Sequence, residues 1–480
     1  MAPQVIPLHS KDDTWMNRGI ALEFTLCFDH VLDPEHLRWS LHRLMEIGDW
    51  KKLGARLRLN STGKLEYHIP EKYNAKCPGF TFSTAMRDSS LDDLSYSKLP
   101  RATKSPTVFP FTTADLDNLL FTPDSPKRLE DWICADRPQL DIRLVTFQDA
   151  TLLKLAWLHT FMDASGRASL LNAWTAVLRG CEDEVPAFCG FLQDPLADLD
   201  AQPLMEWFVR SRWMLVILQW IGPLLLVIRW MWEMIPYPKH EFRMVCIPGS
   251  VVTQMRESAM QELSVGDDGT GKTPFVSESD VLVAWWAQCI IRSIRPSLQT
   301  PITILNIFNI RPVFPKHFPG GTAYIGNAWL TAHTILSSAQ MLERPVSYLA
   351  SKLRHSLLEQ RSKDHIMAYA AAQKKGMDKA GGTLASAMGL SNMLIHCSNW
   401  HQARFFNVDF SSAVVGPVDE KARSVGKPSL IVPNTMYRWP MLINTGSVIG
   451  KDADGNWWLT WHLKRETWRN IEKQLAEISI

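Results

Sequence analysis

The chain has 480 residues, 46% hydrophobic and 21% charged, with 51 Lys and Arg against 49 Asp and Glu for a formal net charge of +2. That length exceeds one ordinary hydrophobic core, so at least two domains are expected, and the apolar content excludes a disordered protein. The near-neutral balance, with no long Lys/Arg run, gives no footing for nucleic acid.

Met1-Ala2-Pro3-Gln4-Val5 lacks the basic segment and apolar core of a signal peptide, which points to a cytoplasmic protein. Ile20 to Phe28 reads as a strand. Asp33-Pro34 then opens a helix, Asp as N-cap and Pro in the first turn, with Leu37, Leu41, Leu44 and Met45 at helical spacing. Ala55 to Leu59, the turn Asn60-Ser61-Thr62-Gly63 and Leu65 to Ile69 form a hairpin. The apolar run Leu152 to Leu158 is a buried strand that ends in His159-Thr160-Phe161-Met162-Asp163, followed by Gly166 as a turn residue and a helix from Ala168 to Leu178.

From Cys181 to Pro238 the character changes to a crossover linker. Trp213 to Trp232 has the length of a membrane span, but Gln219, Gly222, Pro223 and Arg229 interrupt it, which favours membrane-surface contact or a pair of apolar helices over one spanning helix. A strand then begins at Met244, a helix runs through Leu263, and Ser277 with Asp280 caps a further helix. Between the two helices, Gly266 to Thr273 satisfies the phosphate-loop pattern GxxxxGK[ST] letter for letter. Its lead-in reads as helix where that motif needs a strand, and Pro274 disfavours helical geometry at Thr273, so the segment is read as a solvent loop. Ile302 to Ile310 alternates as a strand and ends at Arg311-Pro312. The strand-helix-strand rhythm of both halves predicts two similar α/β domains, residues 1–180 and 244–480, joined by the 181–243 crossover.

The chemistry concentrates at His159. An imidazole that leaves a buried strand for a turn is placed to act as a general base, which an alcohol needs before it can attack a thioester near neutral pH. With 14 His in the chain, roughly one HxxxD arises by chance, so the spacing alone decides nothing. Three further segments carry the reading: Arg311 at its strand end, Tyr324-Ile325-Gly326-Asn327 after Gly320-Gly321, and Ser398-Asn399-Trp400 ahead of Asp409-Phe410. The eight cysteines form no CxxC pair and no cluster with His of ligand spacing, so no metal site is expected. The 20 Trp are read mostly as packing, with some left to line a lipophilic pocket.

In this order and spacing the chain resembles the BAHD acyltransferases over nearly its whole length, in particular the fungal branch that decorates terpenoid and other natural products. His159 and Asp163 match the family's HxxxDG, Arg311 and Tyr324 to Asn327 its Arg strand and YxGN segment, and Asp409-Phe410 the start of DFGWG. Two departures stand out: Gly does not follow Asp163 directly, and Ser411-Ser412-Ala413 replaces the end of DFGWG. The resemblance implies two chloramphenicol-acetyltransferase-like domains with the active-site channel at their interface. It implies acyl-CoA, with acetyl-CoA favoured, as co-substrate, no bound cofactor, and a hydroxylated lipophilic acceptor such as a terpenoid or meroterpenoid. It further implies His159 as base, with Asp163 paired to Arg311 and Asp409 as structural residues, in a monomer. The alternatives are a catalytically inactive binding protein of this fold, allowed by the eroded DFGWG, and a membrane-associated lipid acyltransferase, supported by 213–232 alone.

Overall fold

The computed structural model describes residues 3–93, 99–111, 114–199, 240–265, 275–380, 393–416, 424–437 and 443–477. The 213–232 segment and the phosphate-loop match at 266–273 lie outside these residues. Among the described residues, no helix is long and apolar enough to cross a membrane.

Two sheets organise the chain. The first has five strands in the order Leu430–Tyr437, Ile20–Phe28, Thr151–Leu158, Asp141–Thr146 and Thr81–Met86. Neighbours are antiparallel except for the last pair, which is parallel. Thr151–Leu158 is buried at all eight positions, as an unbroken apolar run implies when both faces of a strand are covered. The helices Pro34–Glu46 and Ala164–Leu178 pack against each other, and Trp174 Nε1 donates to Ser40 Oγ at 3.0 Å between them.

The second sheet has seven strands, ordered Trp329–Ser337, Pro301–Asn309, Met393–Asn399, Thr445–Lys451, Trp457–Lys464, His240–Ile247 and Thr107–Phe109. The helices Gly249–Val265, Glu278–Ile294, Val346–Gln360 and Arg465–Ala476 share its core, where Trp286 meets Trp461 and Trp468 at ring-centroid distances of 6.0 and 6.1 Å. The Ser277 cap forms as the sequence predicts: Asp280 N donates to Ser277 Oγ at 3.2 Å and Ser277 N to Asp280 Oδ2 at 2.9 Å. Nine Trp side chains among the described residues are fully buried, which makes packing their main use.

The halves also trade strands. Leu430–Tyr437, late in the chain, completes the first sheet against Ile20–Phe28, while Thr107–Phe109 from the N-terminal half closes the edge of the second against His240–Ile247. Each exchange is stitched by backbone hydrogen bonds, so the two cores are held at a fixed relation along a shared seam. His159 and Asp163 from the first half meet Asn327 and Arg311 from the second.

Candidate active site

His159 is the first residue beyond the Thr151–Leu158 strand. Its N–H still donates to the Ile20 carbonyl at 2.9 Å, so the sheet fixes one side of its backbone. The chain then turns: Phe161 N–H returns to Leu158 O at 2.9 Å, and Trp157 Nε1 donates to Met162 O at 3.2 Å across the turn. Asp163 ends it as the N-cap of the next helix, accepting from Gly166 N at 2.8 Å. The helix therefore starts at Ala164, four residues before the sequence places it. Gly166 is inside its first turn and is not the turn residue the sequence suggested. Glycine is required there for closeness: a Cβ on Gly166 would run into the backbone carbonyl of Ile325 from the other half of the chain.

Asp163 and Arg311 are joined as the sequence expects. Arg311 Nη1 donates to Asp163 Oδ2 and Nη2 to Oδ1, both at 3.0 Å, a two-pronged pair. Asp163 Oδ2 also accepts Ala328 N at 2.9 Å, so with Gly166 N its two oxygens receive four donors. Arg311 is steadied in turn by Asn309 Oδ1 at 3.1 Å and by Gly326 O at 2.5 Å, and its guanidinium lies over the Tyr324 ring. A carboxylate this fully committed orients the turn and has no lone pair free for a substrate proton.

Asn327 belongs to the same cluster and ties His159 from its other side. Its Nδ2 donates to the His159 carbonyl at 2.8 Å and to Asp12 Oδ1 at 2.8 Å, while its backbone N–H donates to the same Asp12 oxygen at 2.7 Å. Trp329 Nε1 donates to Asn327 Oδ1 at 3.2 Å, and the Trp329 ring stands 6.4 Å from the His159 ring. Next to Asp12 lies a buried polar cluster: His9, whose Nδ1 is 3.0 Å from Tyr324 Oη, Lys52, which donates to Gly190 O and Phe191 O, and Tyr67. Burial pushes the Asp12 carboxyl up and the His9 and Lys52 groups down, because each would be costly as an isolated charge.

His159 as a residue is half-buried, and its ring Nδ1 is buried without a hydrogen-bond partner. Burial of the ring lowers its pKa below 6.5, and nearby Arg167 adds to this; its own backbone carbonyl and Asp163 pull the other way without reversing the direction. The ring is thus held neutral at pH 7, the state a general base needs.

Arg167 is a residue that sequence reasoning missed. It is 3% exposed and packed among aromatic rings, its guanidinium carbon 3.8 Å from the Phe24 centroid, 4.3 Å from Phe405 and 4.6 Å from Trp400. Its Nε and Nη2 are buried without hydrogen-bond partners, and burial brings its pKa down to about 9, against the opposing pull of Asp163. Trp400 and Phe405 come from the segment after Ser398, so that segment packs against the HxxxD helix through this arginine. Asp409 accepts the Ser411 N–H at 2.9 Å and shapes its own turn. Phe410 beside it wedges between Phe28 and Trp174, 5.4 Å from each.

Comparison with known proteins bears on this geometry. The Transferase family matches residues 245–477. Acetyltransferase adrJ of Penicillium roqueforti is 38% identical, covering 99% of this chain and 96% of that protein. Acetyltransferase sphE of Aspergillus fumigatus is 37% identical over 99% and 95%. Among solved structures, TRI101 of F. graminearum, complexed with coenzyme A and T-2 mycotoxin, superposes with a TM-score of 0.68 at 14% identity, covering 99% of this chain and 98% of that one. That likeness establishes the fold, two similar domains of the chloramphenicol-acetyltransferase type.

Proposed function

The chain belongs to the Transferase family of BAHD-type acyltransferases, and on that premise we propose that it moves an acetyl group from acetyl-CoA to a hydroxyl of a lipophilic natural product, a terpenoid or meroterpenoid, with His159 as general base. It is an acyl-CoA-dependent O-acyltransferase, and acyl-CoA is consumed as a co-substrate. The observation that carries the base assignment is the setting of His159: its backbone is fixed on both sides, burial lowers the pKa of its ring, and the adjacent Asp163–Arg311 pair leaves no other free base in the turn.

In the reaction the acceptor O–H gives its proton to the imidazole as its oxygen bonds to the thioester carbonyl carbon. The tetrahedral oxyanion collapses, the C–S bond breaks, and the imidazolium returns its proton to the departing thiolate. The products are an ester and free CoA, with His159 restored. Placing the base permanently against the acceptor supplies much of the effect, since a positioned base contributes typically 10²–10⁴-fold. The acetyl donor is supported by the acetyltransferase names of adrJ and sphE, and a bulky acceptor by the T-2 mycotoxin bound to TRI101.

The test is transfer of isotope-labelled acetyl from acetyl-CoA to a pool of hydroxylated terpenoids, read by mass spectrometry for wild type and His159→Ala. Labelled ester from wild type, reduced at least about 100-fold in the variant, is expected. Equal labelling by both would overturn the assignment.

A further inference from the structure

We propose that Asp12 is a positioning residue for His159, holding Asn327 so that Asn327 holds the His159 carbonyl; the inference rests on His159 being the base. Asp12 sits in a turn near the N-terminus, where its N–H donates to His9 O at 3.0 Å, and Asn17 Nδ2 donates to the Asp12 carbonyl at 3.3 Å. One carboxylate oxygen, Oδ1, receives both the backbone N–H and the Nδ2 of Asn327. Two donors of one residue on one acceptor fix the plane of the amide and the path of its backbone together.

The fixed amide is then spent entirely on His159 and its neighbour. Of the two Nδ2 protons of Asn327, one goes to Asp12 and one to the His159 carbonyl, and the amide oxygen takes Trp329 Nε1. Both Asp12 and Asn327 are buried, at 3% and 1% exposure, so water cannot substitute for a lost partner. His159 is consequently clamped at its N–H by the Ile20 carbonyl and at its C=O by Asn327. Asp163 acts elsewhere, on Arg311, Gly166 and Ala328. Loss of Asp12 leaves two buried Asn327 donors unsatisfied, and the least costly relief is for the amide to rotate, which releases the His159 carbonyl. The charged and titratable groups that face Asp12 are His9, Lys52, Asp194, Tyr67 and Tyr324. None of them bonds Asn327, so none replaces the clamp.

The experiment follows the imidazole directly. Wild type, Asp12→Ala and Asp12→Glu are labelled with [13Cε1]histidine, and the His159 resonance is identified as the one missing from His159→Ala. Acetyl transfer to the hydroxylated terpenoid pool is measured on the same samples. In Asp12→Ala the His159 resonance should move or broaden, with kcat down about 10- to 100-fold and KM for acetyl-CoA within twofold, the pattern of a displaced base. Asp12→Glu keeps the charge but shifts the oxygen by one methylene, and a smaller loss in the same direction is expected; it carries the test alone where Asp12→Ala does not fold. An unmoved His159 resonance in a folded variant overturns the proposal. If His159→Ala retains wild-type turnover, the base assignment falls by itself, and the resonance still decides whether Asp12 positions the ring.

Discussion

His159 and Asp163 are four residues apart and do different work, and their variants separate them. The imidazole must be neutral to accept a proton, and burial holds its pKa below 6.5. Activity in kcat/KM should therefore stay level down to pH 6.5 and fall on an acid limb below it, where the imidazole takes up its proton. Asp163→Asn removes the charge that neutralises Arg311. Breaking a buried pair this way costs about 3–5 kcal/mol when one partner is lost, so a marked drop in Tm is expected by calorimetry. The folded fraction of that variant should keep an acid limb of the same single-proton shape, displaced to lower pH, because Asp163 no longer draws the His159 pKa upward. Complete loss of the limb would instead make Asp163 part of the proton path. His159, Asp163 and Arg311 could be singled out in the sequence because together with the later segments they match the family's HxxxDG and Arg strand, where the HxxxD spacing alone would not have sufficed. Asp12 and Arg167 could not: one stands in a polar N-terminal stretch without periodicity, the other looks like any arginine on a helix. Their significance comes from burial against residues far along the chain.

The helix Ala164–Leu178 acts through its first turn. Its N-cap is the Asp163 carboxylate, its Gly166 lies under the Ile325 carbonyl, and its Arg167 fills an aromatic cage closed by Trp400 and Phe405. One turn of helix thus touches both halves of the chain. Gly166→Ala places a methyl against the Ile325 backbone, with no flexible side chain to yield, so the Tyr324–Asn327 loop itself must retreat. Overpacking of this kind costs about 1–3 kcal/mol, and here it also lengthens the Asp163–Arg311 and Asn327–His159 bonds. Lower Tm together with lost acetyl transfer is expected, whereas Ala168→Gly in the same helix should lower Tm alone. Full activity in Gly166→Ala would show that the two halves are not held at this contact. The element was legible in the sequence as a helix, but its start was misplaced because a capping Asp that also forms an ion pair looks the same as one that only caps. The strand exchanges were hidden for a different reason: Leu430–Tyr437 is a short apolar run broken by Pro433, and its pairing with Ile20–Phe28, at the other end of the chain, leaves no local mark.

At the scale of the whole molecule, buried imidazoles set the response to acid. His396 and His462 have pKa values brought down to about 4 by burial, and His159, His333, His365 and His401 are lowered for the same reason. In the unfolded chain each would titrate near 6.5. Between pH 6.5 and 4 the unfolded state therefore binds protons that the folded state refuses. The stability these groups contribute is complete above 6.5 and is lost as pH falls through that window. At about 1.4 kcal/mol per pH unit, His396 and His462 each account for at most about 3–4 kcal/mol, less where water reaches the ring. His9 adds to this, while Asp12 and Glu23, whose burial raises their pKa, work in the opposite direction over the same range. His9 and Asp12 oppose each other within one cluster, and among the described residues six further imidazoles are lowered against the raised carboxyl of Glu23, so a net loss of stability toward acid is expected. The Tm measured by scanning calorimetry should accordingly fall steadily from pH 6.5 to 4.5. His462→Gln, which cannot take up a proton, should flatten that slope by a measurable fraction while leaving the acid limb of catalysis in place. A Tm that rises as pH falls would mean that Asp12 and Glu23 dominate, and that the seam between the halves is tightened by protonation.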